Sequence, residues 1–119
     1  MPSESMPVDI VLTPYFRKDL KTLAKRYRSV RSDLQPLIEQ LQAGELPGDR
    51  VAGVGAVLFK VRLKNSNLQK GKSAGYRVIY YLRAQDRIVL MTIYSKSDRE
   101  DVSSFELKAV LAEYEQSLE

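Results

Sequence analysis

Three cations stand at alternate positions of one short segment: Lys60, Arg62 and Lys64, interleaved with Val57, Phe59, Val61 and Leu63. Side chains two residues apart on a β-strand point the same way. The spacing therefore predicts a strand over 57–64 with its apolar side chains on one face and the cations on the other, roughly 7 Å apart. Like charges so placed repel each other, and the face is most stable when anions share it. Arg77 opens a second such segment, with Ile79, Tyr81 and Arg83 on its side and Tyr76 and Tyr80 on the other. Arg77 and Lys60 are both expected to be exposed on this cationic surface. A third segment closes with Tyr94, Ser95, Lys96 and Ser97. Aromatic rings beside cations at strand ends suit stacking on unpaired bases next to a phosphate backbone. The plainer use of the same charges is a solvated strand that resists aggregation.

The chemistry open to these residues is narrowed by two absences. The 119 residues contain no Cys and no His. This excludes disulfides, thiolate zinc, histidine-held metal, cysteine nucleophiles and the Ser-His-Asp triad. Any catalysis has to run on carboxylates, lysines, arginines, tyrosines or hydroxyls. Lys70-Gly71-Lys72-Ser73 invites a phosphate-loop reading, but Ser66 stands where that motif needs a further Gly, and the segment leads into a strand rather than a helix. It reads better as part of a flexible basic loop, 64–75, able to track a polynucleotide backbone. Charge follows the same division. Residues 57–100 carry ten Lys/Arg against three Asp/Glu, a net of +7, whereas 101–119 carry one against five, a net of −4. The middle of the chain is thus the part suited to phosphate.

The elements that must position these residues follow from periodicity and punctuation. Val8 to Leu12 reads as a strand, Thr13 as a helix N-cap and Pro14 as the first helical residue. Phe16, Leu20, Leu23, Ala24 and Tyr27 then recur at helical spacing. A second helix carries Leu34, Leu37, Ile38 and Leu41, with Pro36 expected in its first turn or at a kink. The short join makes the pair a helical hairpin. A loop over 46–55 leads to the strands 57–64, 76–83 and 87–94, the last two forming a hairpin. The third of these is apolar on both faces and so is expected inside the sheet. Ser103 and Glu106 have capping-box spacing before a helix with Leu107, Val110, Leu111, Tyr114 and Leu118 on one stripe. The order is β-α-α-β-β-β-α: a small α+β domain with an antiparallel sheet, an N-terminal helical hairpin and a C-terminal helix. Residues 1–7 are expected as a loose tail and 8–119 as one domain. No segment reads as a membrane span or a secretory signal, which makes the cytoplasm the expected compartment.

Phe59-Lys60-Val61-Arg62-Leu63, the run from Gly71 to Tyr81, and Ile93-Tyr94-Ser95-Lys96-Ser97-Asp98-Arg99-Glu100-Asp101 together resemble the RelE/ParE toxin superfamily, most closely its HigB-like branch. The strong part covers 57–111, and the helical hairpin extends the resemblance over nearly the whole chain. The resemblance implies the toxin of a type II toxin–antitoxin pair that cleaves mRNA on the ribosome without a metal or other cofactor. It implies a cognate antitoxin protein, bound in a hetero-oligomer, as partner, with the ribosome and mRNA as targets. Lys60 and Arg62 match the basic pair of the family's second strand, Arg77 the arginine opening its third, and Lys96 the basic residue after its fourth. Some RelE enzymes carry a catalytic tyrosine just before the last helix. Ser103 stands there in this chain, and Tyr94 is the candidate substitute.

The expected catalytic set is therefore Lys60, Arg62, Arg77, Lys96 and Tyr94, with Lys64, Lys70, Lys72, Arg83 and Tyr81 as RNA contacts. Cleavage by 2′-hydroxyl attack needs a proton removed, extra negative charge stabilised on the phosphate and the 5′-oxygen protonated, all of which such groups can do. Two rivals share the fold: a ParE-like inhibitor of DNA gyrase, and a catalytically silent RNA-binding module. The convergence of Lys60, Arg62 and Lys64 with Arg77 and Lys96 favours the nuclease.

Overall fold

The computed structural model describes residues 8–68 and 74–118. The 1–7 tail and the basic residues Lys70 and Lys72 lie outside them. The order is β1 (Asp9–Leu12), α1 (Pro14–Arg26), α2 (Val30–Gln42), β2 (Asp49–Val51), β3 (Leu58–Leu63), β4 (Tyr76–Ala84), β5 (Arg87–Ser95) and α3 (Ser104–Ser117).

Local chemistry explains the helices. The Thr13 hydroxyl accepts the Phe16 amide at 2.9 Å, and Pro14, at the first helical position, has no amide that needs a partner. At the end of α2, Gly44 takes φ +89°. Its amide reaches the Leu41 carbonyl at 3.0 Å, while the Glu45 amide reaches that of Gln40 at 3.0 Å. This paired closure uses a left-handed residue that glycine adopts without strain. Pro36 lies inside α2, past the first turn. It is exposed, so water can satisfy the Ser32 carbonyl that proline leaves without an amide. At α3, Ser103 accepts the Glu106 amide at 3.1 Å, which is half of the expected capping box. The Glu106 carboxylate does not return to Ser103 and instead meets Arg99 at 2.5 Å.

The sheet order is β1-β5-β4-β3-β2. Neighbours among β2 to β5 are antiparallel, as expected, but β1 runs parallel to β5. The expected loop 46–55 contains β2, which extends the sheet beyond β3. β5 is interior, between β1 and β4, in keeping with its two apolar faces. The helical hairpin covers one side: Phe16, Leu20, Leu23, Leu34, Leu37 and Leu41 close over Val61, Val78, Tyr80, Leu90 and Ile93. On the other side Leu107, Val110 and Tyr114 of α3 pack on Leu58, Ile79, Val89 and Met91. Two cores thus sandwich the strands, and burial on both faces fixes their register.

Candidate functional site

α3 covers only part of its side of the sheet, and the cationic residues gather on the remainder. In the ladders, Arg62 on β3 stands opposite Arg77 on β4, and Arg77 stands opposite Tyr94 on β5. Arg62, Arg77 and Tyr94 therefore form one row across three strands spaced about 4.8 Å apart. Lys60 lies two residues along β3 on the same side, and Lys96 follows directly after β5. Two arginines facing each other across a ladder weaken the sheet unless an anion lies between them.

Two backbone features build the row. The β4–β5 register pairs Ile79 with Thr92 and Tyr80 with Leu90, which leaves Met91 as an extra residue. Strict alternation would put Tyr94 on the side of Ile88 and Leu90. The bulge shifts the phase by one, so that Ile93 packs under the hairpin and Tyr94 faces Arg77 on the α3 side. Re-aiming a side chain is a characteristic effect of a β-bulge. Gly75 is the second feature. A Cβ there would collide with the Leu63 carbonyl oxygen, and the Gly75 carbonyl accepts the Lys96 amide at 2.9 Å. Glycine thus lets β3, β4 and the end of β5 close up where Arg62, Arg77 and Lys96 emerge.

Arg77 departs from expectation in one respect: it is buried, with 6% of its surface exposed. It lies between Arg62 and Tyr94 in the middle of the row, and Nη1 donates to the Tyr76 carbonyl at 3.2 Å. Arg62 is exposed. Tyr94 is buried, its ring carries the Arg99 guanidinium 5.6 Å from the centroid, and its hydroxyl donates to Asp101 Oδ1 at 3.3 Å. Burial, with the nearby Asp101 carboxylate, pushes the Tyr94 hydroxyl up to about 12 despite the opposing Arg77 and Arg99. Tyr94 is therefore a neutral donor at pH 7. Lys60 Nζ also donates to Asp101 Oδ1, at 3.1 Å. Partial burial works to raise the Asp101 carboxyl, but the Val102 amide, Lys60 and Tyr94 together hold it below the usual carboxylate range. Lys96 meets the Glu100 carboxylate at 3.4 Å.

The structure thus brings together Lys60, Arg62, Arg77, Tyr94 and Lys96. Lys64 follows β3 and is exposed. Tyr81 and Arg83 lie farther along β4, away from the row. Tyr81 packs against the α3 core, and Arg83 pairs with Glu115 over the ring of Tyr114. Sequence reasoning did not single out Asp101 or Arg99 as parts of the site. The available signal was the alternating run Asp98-Arg99-Glu100-Asp101 directly after a strand that ends in Tyr94 and Lys96.

A mixed sheet between a helical hairpin and a C-terminal helix is the α+β architecture anticipated from the sequence. The profile describing the RelE toxin of the RelE/RelB toxin–antitoxin system matches residues 15–118, and the chain belongs to that family. It is therefore the toxin of a toxin–antitoxin pair, and an antitoxin is its partner. Among the described residues no helix is long and apolar enough to cross a membrane.

Proposed function

We propose that this protein is a ribosome-dependent mRNA endoribonuclease that arrests translation and growth until its antitoxin binds. The observation that carries the reading is the single row Arg62–Arg77–Tyr94, flanked by Lys60 and Lys96. It gathers cations and a neutral phenol from three adjacent strands, as a reacting phosphodiester requires. Arg62 and Arg77 stabilise the charge that grows on the phosphate as the 2′-oxygen attacks. Tyr94, protonated well beyond neutral pH, donates a hydrogen bond or proton to the departing 5′-oxygen. Lys60 and Lys96 flank the phosphate; the amine of one of them accepts the proton that leaves the 2′-hydroxyl and, through water, returns a proton to the Tyr94 oxygen once the 5′-oxygen has been protonated. Lys64 extends a path for the RNA backbone, Lys70 and Lys72 are further candidate contacts from the sequence, and Tyr81 and Arg83 would meet RNA only beyond the reacting phosphate. No step calls for a metal. The ribosome supplies the positioning of the 2′-oxygen in line with the scissile bond, a contribution that the small open site makes poorly alone. The resemblance of the sequence is closest to the HigB-like branch, and a target on the ribosome implies the cytoplasm.

Mapping transcript 5′-ends after induced expression tests this reading. New ends within translated messages support it. Intact transcripts with failing gyrase-dependent supercoiling would replace it with the ParE-like reading, in which the protein poisons gyrase and cuts nothing.

A further inference from the structure

Four cations on or near the β5–α3 connection are paired with acids of that connection or of the first turn of α3. Arg26 at the end of α1 holds Asp98 at 2.6 Å, Lys96 meets Glu100 at 3.4 Å, Lys60 meets Asp101 at 3.1 Å and Arg99 meets Glu106 at 2.5 Å. Asp101 differs from the others in where it sits. One of its oxygens, Oδ1, accepts from Lys60 on β3, from the Tyr94 hydroxyl on β5 and from the Val102 amide at 2.8 Å. An anionic oxygen held by an ammonium, a phenol and a backbone amide has the surroundings that a non-bridging phosphate oxygen would seek. Yet Asp101 is not locked in, since 59% of its side chain is open to solvent. The pair with Lys60 is a surface pair, the kind that exchanges partners at little cost.

We propose that Asp101 is a resident counter-anion of the site: it occupies the position of a substrate phosphate oxygen between Lys60 and Tyr94 in the free toxin, and RNA must displace it to bind. The inference rests on the proposed RNA chemistry of the row and adds a competitor built into the chain. The competitor gives the free toxin a lower affinity for RNA away from the ribosome. Asp101 acts by competing for Lys60 and Tyr94, and is not itself assigned a catalytic role.

The test is RNA affinity, measured by fluorescence anisotropy with a labelled single-stranded RNA in which every 2′-hydroxyl is methylated, so that no cleavage interferes. Asp101→Asn removes the charge and keeps an acceptor for the Val102 amide. Asp101→Ser does the same with a shorter side chain and guards against a misfolded variant. Asp86→Asn, in the turn at the opposite end of β5, controls for net charge. The Asp101 variants should bind about three- to fivefold tighter than wild type, the scale of one exposed ion pair, with Asp86→Asn changing affinity less than twofold. The slope of log affinity against log salt should steepen by up to about 0.7, as for one further phosphate neutralised on a single strand. In a Lys60→Ala background the gain should vanish. A merely structural role for Asp101 predicts the reverse, weaker binding on its loss. If Lys60→Ala weakens binding while Asp101→Asn behaves like Asp86→Asn, the counter-anion is refuted and the RNA site stands. If Lys60→Ala and Arg62→Ala both leave affinity unchanged, the proposed RNA site fails and the inference fails with it.

Discussion

Tyr94 joins the α3 core to the basic row: its ring belongs to the apolar cluster under α3 and its hydroxyl reaches the Asp101 carboxylate. Tyr94→Phe keeps the ring and removes only the donor. Stability should fall by about 1 kcal/mol, the net worth of one hydrogen bond. Cleavage in single-turnover assays on programmed ribosomes should slow about a hundredfold, the low end of general acid catalysis. An unchanged rate would remove Tyr94 from the proton path. Tyr76, Tyr80 and Tyr94 share a second property: burial pushes each of them up to about 12 from 10.0. Their folded-state values lie above their unfolded ones, so the stability they contribute is fully present below pH 10 and is lost as the pH climbs through about 12. Urea midpoints should be flat in this respect up to pH 10 and then fall, with absorbance at 295 nm showing little native tyrosinate before unfolding. Three tyrosines titrating near pH 10 in the folded protein would contradict the burial argument. At this scale the sequence was informative about residue type and poor about environment. Lys60 and Arg62 stood out because charge at period two is conspicuous, whereas Arg77 and Lys96 were singled out through the family resemblance. The burial of Arg77 was not, because it depends on the neighbours that β3 and β5 place beside it.

Gly75 is the element-scale counterpart. Its missing Cβ permits the contact with the Leu63 carbonyl, and its own carbonyl holds the Lys96 amide. Gly75→Ala must push backbone against backbone. It should cost about 1–3 kcal/mol, as overpacking does, which is roughly 4 °C in Tm for each kcal/mol at this size. Because the displacement falls at the ends of β3, β4 and β5, cleavage should drop more than the remaining folded fraction accounts for. A variant with full activity and an unchanged melting curve would show that the close approach is dispensable. The helices were readable from Thr13, Ser103 and the apolar stripes, since caps and periodicity are local signals. β2 was not, because three residues carry no periodicity and only pairing with β3 makes them a strand. The parallel β1–β5 pair and the Met91 bulge are likewise settled by contacts far apart in sequence. A reading by strict alternation therefore could not aim Tyr94 at Arg77.

Over the whole molecule, charge is unevenly distributed along the chain. Residues 57–100 carry a net of +7 and the segment from 101 onward a net of −4; Asp101 folds back onto Lys60 beside the row, and Glu106 pairs with Arg99. The exposed Phe105, open over 80% of its surface, stands at the start of α3 just past this join. As a RelE-family toxin the molecule has an antitoxin partner, and the proposed target of the free toxin is translated mRNA. The most direct measurement is primer extension on total RNA after brief induction, comparing wild type with Arg62→Ala. Arg62 is exposed on the row, so the substitution spares the core, and losing one charge-assisted contact to a reacting phosphate costs about 3 kcal/mol, on the order of a hundredfold in rate. Wild type should produce new 5′-ends inside translated messages and none in untranslated RNA, and Arg62→Ala should lose nearly all cuts and growth arrest. Growth arrest with uncut messages, or arrest and cleavage undiminished in Arg62→Ala, would contradict the proposed activity.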